Sequence, residues 1–252
     1  MNRQRPETRK ACVVITSWDD GSILDNELSK LLNRYQINGT FYVPQRCDPL
    51  DLIDENELKK LARDFEIGAH TLTHRRLDTL SPAEAKGEIL GGKEYLSAIL
   101  DQEIELFAYP EGKYTSETID LVKECGFVAA RTTQCFRIGR PLSPYTLWTT
   151  LQVYPNSLGK ATGNIIRGRA FAHLAGISVL LRNVGKPWID LAKAYFDYVH
   201  QYGGMFHLWG HSWEIERLRL WDELEDLLAY TRIFRGVSYM TTGEFLRTLQ
   251  TR

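Results

Sequence analysis

Cys12-Val13-Val14-Ile15-Thr16-Ser17-Trp18-Asp19-Asp20-Gly21 opens the ordered pattern of the chain. A short β-branched run ending in two acids and a glycine reads as a buried strand followed by a tight turn. Helical periodicity follows at 25–35, then a second apolar run at 39–43. The alternation continues, with strands expected at 65–69, 104–109, 127–132, 147–153, 204–209 and 236–240. Helices are expected at 55–64, 82–100, 115–125, 187–202, 214–231 and 242–250. Ser81-Pro82-Ala83-Glu84 supplies a capping serine, a first-turn proline and a nearby acid, and Gly126 supplies a helix stop. Strand–helix alternation predicts a parallel α/β sheet with crossover helices. Seven or eight units in 252 residues predict a closed or nearly closed barrel, with an open doubly wound sheet as the second reading.

The bulk numbers bound the answer. A chain of 252 residues with 43% hydrophobic and 25% charged residues is ordinary for one globular domain. We divide it into a flexible leader, 1–10, and a catalytic domain, 11–252. A glycine- and arginine-containing insertion around 155–186 carries an apolar stretch, Phe171 to Leu181. It is expected to roof the site or to pack on the barrel flank, with a lipid-facing role as a third reading. A net charge of -1 gives no global field toward nucleic acid or an anionic membrane. Cys12, Cys47, Cys125 and Cys135 are widely spaced, which argues for reduced, buried thiols. Residues 1–10 are polar and basic with no apolar run after them that would suit a secretory signal, and no run suits a membrane span. The expectation is a cytoplasmic protein.

Chemistry gathers where the expected strands end. Asp19 and Asp20 end the first run, His70 and His74 follow the third, Pro110-Glu111-Gly112 follows the fourth, and His207 lies in the run 204–209. In a parallel barrel these positions share one pole. Each motif alone is commonplace: a capped turn, two exposed imidazoles, a loop, a core histidine. Their shared placement points to one site. Two imidazoles at i and i+4 project together from a helical turn, and one aspartate completes a three-ligand set for a catalytic divalent metal. The metal lowers the pKa of its water, and the neighbouring aspartate is free to take the proton. A second acid must serve the leaving group, and His207 is the best-placed candidate.

The series Ser17-Trp18-Asp19-Asp20-Gly21, His70-Thr71-Leu72-Thr73-His74, Phe107-Ala108-Tyr109-Pro110-Glu111-Gly112 and Phe206-His207-Leu208 resembles the ordered motifs of the polysaccharide deacetylase family. This is the NodB-homology group, carbohydrate esterase family four. The resemblance covers 12–132 well and 203–250 less closely. It implies a distorted (β/α)7-8 barrel and metal-dependent removal of an acyl group, usually acetyl from an amino sugar. It implies Asp20, His70 and His74 as ligands, usually of zinc, with cobalt, nickel, iron or manganese as other choices. It implies Asp19 as general base, the Glu111 backbone N–H as an oxyanion donor and His207 as general acid. The chain lacks the family's arginine before the third-motif proline; Arg131 is the expected replacement partner for the base. His211 is the alternative acid. Tyr109, Pro110, Trp148, Trp209 and His211 are candidate substrate contacts, and Trp213 joins the tryptophans that could stack on a sugar.

The leading expectation is a metal-dependent hydrolase acting on an amino-sugar derivative, such as a cytoplasmic polysaccharide or glycolipid precursor, with a glycan or small-molecule amide as partner and no nucleic acid. A hydrolase of a non-sugar linear or cyclic amide is the second reading. An inactive barrel that binds carbohydrate or a partner protein is the third.

Overall fold

The computed structural model describes residues 11–139, 141–155 and 174–250. The leader 1–10 and most of the 155–186 insertion lie outside the described residues. Eight strands are present: β1 Cys12–Asp19, β2 Thr40–Val43, β3 Glu66–Ala69, β4 Leu106–Ala108, β5 Ala129–Arg131, β6 Leu151–Gln152, β7 Gly204–Gly210 and β8 Val237–Met240. All pairings between them are parallel, in the order β5-β4-β3-β2-β1-β7-β6, with β8 beside the first half of β1. The two ends of this order meet. Leu147 bridges Arg131 of β5, and β6, a few residues on, pairs with β7. The sheet therefore curls into a distorted barrel rather than an open doubly wound sheet.

Alternation along the strands sorts the side chains into two layers. Val14, Trp18, Phe41, Ile67, Phe107, Phe206 and Leu208 join the cluster beneath the helices. The opposite face lines the barrel interior, with Val13, Ile15 and Met205 in one small cluster and Tyr42, Leu106, Ala108 and Ala129 in another. The described helices are α1 Asp25–Arg34, α2 Glu55–Asp64, α3 Pro82–Leu100, α4 Ser116–Glu124, α5 Leu174–Arg182, α6 Trp188–Tyr202, α7 Ser212–Leu218, α8 Trp221–Arg232 and α9 Thr242–Gln250. Phe245 and Leu246 of α9 enter the interior clusters, so α9 stoppers the pole where the strands begin. Glu66 fixes that helix by accepting from the Gly243 N–H at 3.0 Å and the Thr241 hydroxyl at 3.0 Å.

One expectation changes. The helix expected over 214–231 is two helices, broken where Arg219 adopts φ 56°. No glycine or proline marks the break, so composition could not reveal it. The described part of the 155–186 insertion is α5. It lies on the barrel flank, where the Tyr195 hydroxyl of α6 donates to the Gly176 carbonyl at 2.7 Å. It does not line the cavity at the pole where the strands end.

Candidate metal centre

At the pole where the strands end, a cavity of about 370 Å³ is lined by Asp19, Asp20, His70, His74, Glu111, Thr133, Gln152, Trp209, His211, Trp213 and Glu214. Asp20, His70 and His74 converge in its floor. Their ligand atoms lie within 4.8 Å of one another. His70 Nε2 is 3.6 Å and His74 Nε2 3.2 Å from Asp20 Oδ1. An ion about 2 Å from each atom needs separations of roughly this size.

Neighbours aim each ligand. His70 Nδ1 lies 2.8 Å from the Ala108 carbonyl, which can only accept, so the proton is on Nδ1 and the Nε2 lone pair faces the cavity. Trp213 Nε1 donates to Asp20 Oδ2 at 2.9 Å and leaves Oδ1 for a cation. That Oδ1 is buried and faces only the two imidazoles, with His74 Nε2 at 3.2 Å close enough to share a proton with it. Burial opposes charge on Asp20, but the His74 hydrogen bond and the nearby His211, His70 and His74 hold its pKa well below the usual carboxylate range. Burial pushes His70 down to about 4, the neutral form a metal requires. Burial also opposes a charge on His74, yet Asp20 and Cys47 beside it push its pKa up to about 10. A proton on His74 thus partly answers the buried carboxylate. A divalent cation answers it better, and the residues present fit one.

The two histidines do not share a helical turn, contrary to the sequence expectation. They flank a loop in which Thr71 has φ 64° and His74 φ 55°. Left-handed backbone at a β-branched residue is costly and must be held from outside. Helix α3 holds it: Glu88 accepts from the Thr73 N–H at 2.8 Å and its hydroxyl at 2.6 Å. Gly92 lets the helix approach so closely that a Cβ there would lie 2.6 Å from the Thr71 carbonyl. Gly92→Ala is therefore expected to weaken metal affinity, since a collision with backbone costs about 1–3 kcal/mol and exceeds the roughly 1 kcal/mol of helix propensity that alanine adds. At Gly87, on the same helix, a Cβ meets nothing within 4 Å. Gly87→Ala should raise thermal stability and leave metal affinity unchanged. Calorimetric titration of both variants with zinc checks the pair.

Asp19 projects into the barrel mouth. Its Oδ2 pairs with Arg131 Nη2, and its Oδ1 is buried without a hydrogen-bond partner. Arg131 is fully buried, its guanidinium between the rings of Tyr42 at 5.2 Å and Trp209 at 5.1 Å. Glu111 lies on the cavity rim with φ 53°, and its carboxylate reaches Arg76 at 3.7 Å.

His207 is the main correction. It lies one strand layer below the cavity and does not line it. Its Nδ1 donates to the Trp148 carbonyl at 3.2 Å, so its Nε2, 2.8 Å from Ser17 Oγ, accepts the hydroxyl proton. Burial and the Arg131 charge push its pKa down to about 3, so it is uncharged at neutral pH and its one ring proton is held by the Trp148 carbonyl. Ser17 and His207 are each at most 1% exposed, which also rules out a nucleophilic Ser–His pair open to substrate. His211 occupies the position expected of His207. Its Nδ1 pairs with Glu214 at 2.9 Å and its Nε2 faces Asp20 Oδ2 at 3.8 Å. Burial opposes its charge, but Glu214 and the two aspartates raise its pKa. Glu214 is itself held by Gln152 at 3.0 Å.

Three of the proposed substrate contacts are core. Tyr109 is fully buried, its hydroxyl on the Tyr145 carbonyl at 3.2 Å. Pro110 is buried under the rim turn. Trp148 packs with Val13, Ile15, Met205 and Phe245. Trp209 and Trp213 do line the cavity. Sequence reading missed Glu88, Gln152 and Glu214. It also missed Asp25, a fully buried acid that accepts from Ser212 at 2.6 Å and whose pKa burial and the neighbouring aspartates push up to about 8. Glu214 had a signal, three residues after His211; the others are defined by long-range packing.

The geometry can be set beside known proteins. The sequence profile described as polysaccharide deacetylase matches residues 5–130, which include Asp19, Asp20, His70, His74 and the Pro110 turn. YxkH of Bacillus subtilis (strain 168), named for the polysaccharide deacetylases, is 27% identical over 170 residues, covering 66% of this chain and 60% of YxkH. The chain thus spans less than two thirds of the length of that curated relative. Among solved structures, a Mycobacterium smegmatis protein named for the same family has a TM-score of 0.68 at 15% identity, covering 98% of this chain and 93% of its own. The chitin deacetylase of Colletotrichum lindemuthianum has a TM-score of 0.61 at 16% identity, covering 93% of this chain and 87% of its own. The structural likenesses establish the fold, and the profile match, spanning half the chain, establishes the lineage: the chain belongs to the polysaccharide deacetylase family.

Proposed function

We propose that this protein is a metal-dependent hydrolase that removes an acyl group, acetyl first among the candidates, from the nitrogen of an amino-sugar derivative. The observation that carries the reading is the convergence of two imidazole nitrogens, at 3.2 and 3.6 Å, on the buried Asp20 Oδ1 in the floor of an open cavity. Asp20, His70 and His74 would hold the ion, and zinc suits a set of two imidazoles and one carboxylate. When bound, such an ion polarises the acyl carbonyl and makes a nucleophile of water near neutral pH.

The rest of the chemistry belongs to the chain. Arg131 fixes Asp19 through Oδ2, so Oδ1 takes a proton from the attacking water. Water oxygen bonds to the acyl carbon, the C–N bond breaks, and the amine leaves with a proton from His211. Glu214 holds that imidazole and favours its charged form. The Glu111 backbone N–H on the rim is the proposed further donor to the developing oxyanion. Trp213, half-buried on the cavity wall, offers apolar ring surface to the C–H face of a sugar, and the buried Trp209 backs the same wall. A cavity of about 370 Å³ is near the lower end for ligand sites and matches one sugar ring with its acyl group. All four cysteines are free, which supports a reducing, cytoplasmic setting and hence a biosynthetic precursor as substrate.

The test is mass-spectrometric detection of deacylated product from a panel of N-acetyl amino-sugar precursors, run beside ureido and cyclic-amide compounds. Product from the sugars alone supports the reading. Turnover of the non-sugar amides alone would replace it.

A further inference from the structure

From Cys125 to Ile189 the chain contains eight basic residues and no acid. Arg131 and Arg137 are buried, and the other six are Arg140, Lys160, Arg167, Arg169, Arg182 and Lys186. A net charge of -1 over the whole chain conceals this asymmetry. The described end of the stretch is α5 and the turn that joins it to α6.

Helix α5 is apolar on two opposite sides. Gly176, Val179 and Leu180 are buried toward the barrel. On the other side Leu174 is 75% and Leu181 64% exposed, and residues seven apart share a helix face. Val184, in the following turn, is 45% exposed. A helix apolar all round is normally enclosed by protein or lipid, and this one has protein on one side. Arg182 and Lys186 are exposed beside the leucines, and among the described residues neither makes an ion pair.

The topology places this surface. Helix α6 leads into the start of β7, so α6 begins at the pole where the strands end. Its 15 residues span about 22 Å. The Tyr195–Gly176 hydrogen bond sets the start of α5 halfway along α6, so Leu181 to Lys186 flank the catalytic pole.

We propose that Leu174, Leu181, Val184, Arg182 and Lys186 dock this flank onto an anionic lipid bilayer. Exposed aliphatic side chains give a nucleic acid nothing to stack on, while Arg182 and Lys186, which outnumber the one acid near them in the chain, Asp190, give a neutral surface nothing to attract. Together they match the interface of an anionic membrane, where apolar side chains enter the acyl boundary and cations meet headgroups. Among the described helices none is long and apolar enough to cross a bilayer, so the contact is peripheral. Resting on the hydrolase reading above, the docked orientation brings the cavity to a lipid-carried amino sugar.

The test is cosedimentation of the full-length protein with phosphatidylglycerol vesicles and with phosphatidylcholine vesicles. Binding should favour phosphatidylglycerol by about tenfold or more and weaken as salt rises. The pair L174S/L181S and the pair R182A/K186A should each weaken it about tenfold, with zinc content and turnover of a soluble N-acetyl amino sugar unchanged. Absence of vesicle binding would overturn the proposal, as would equal binding to both lipids or full binding by L174S/L181S. So would tighter binding to single-stranded DNA than to vesicles, or a dimer in light scattering that L174S/L181S dissociates. Vesicle binding by a protein that turns over no amino sugar would uphold the membrane surface and count against the hydrolase reading instead.

Discussion

Asp19→Asn should lower kcat by about 10²–10⁴ and leave the bound metal in place. Asparagine keeps the shape of the side chain but cannot accept the proton from water. The three ligand atoms belong to Asp20, His70 and His74, so the ion has no need of Asp19. The same change leaves Arg131 charged in a fully buried position. Removing one partner of a buried pair costs about 3–5 kcal/mol, so the variant should also unfold at lower denaturant. Kinetics, metal content and denaturant midpoint measured on one preparation separate these effects. Full activity would show that another group is the base. Loss of metal would show that Asp19 is a ligand.

His211→Asn should cost a similar factor, about 10²–10⁴ in kcat, while His207→Gln should cost far less. His207 gives both ring nitrogens to Trp148 and Ser17 and is held neutral, so its loss should appear mainly as reduced stability. His211 has its pKa raised, against the pull of burial, by Glu214, Asp20 and Asp19. Its acid form therefore persists to higher pH than that of a free imidazole, and kcat should fall as pH rises through the raised value. Stability has the same sign. The folded-state pKa exceeds the unfolded one, near 6.5, so the contribution is complete below that pH and is lost as pH rises through the folded value. A pH–rate profile for each variant decides it: the basic limb should vanish in His211→Asn and persist in His207→Gln. The reverse pattern would restore His207 as the acid.

The contrast between these two histidines shows what the sequence could and could not carry. Every expected strand is present, because β-branched runs such as Val13-Val14-Ile15 and Gly39 to Val43 are short, apolar and bounded by turn residues. The Asp20, His70 and His74 set was legible because Asp20 and His70 directly follow strand runs at one pole and His74 comes four residues after His70. Depth within a strand was not. His207 and His211 are one turn of sequence apart, yet one faces the middle of the barrel and the other its mouth. That difference depends on the register of β7 against β1, where Ile15 lies opposite His207 and Trp18 opposite Gly210. The supports of the loop were hidden for a related reason. Glu88 and Gly92 lie mid-helix in α3, where a buried carboxylate and a glycine carry no local signature; only the approach of the Thr71 backbone gives them a role. Tyr109 and Trp148 illustrate the converse error, since an aromatic near a site motif can as readily point into the core.

The proposed chemistry depends on one cation held by Asp20, His70 and His74. The direct measurement is metal content of the purified full-length protein by inductively coupled plasma mass spectrometry, before and after removal by chelator and reloading with zinc, beside the double variant His70→Ala/His74→Ala. We expect one divalent ion per chain in the native and reloaded protein and none in the variant. A native protein that takes up no ion, or a double variant that retains it, would contradict the assignment.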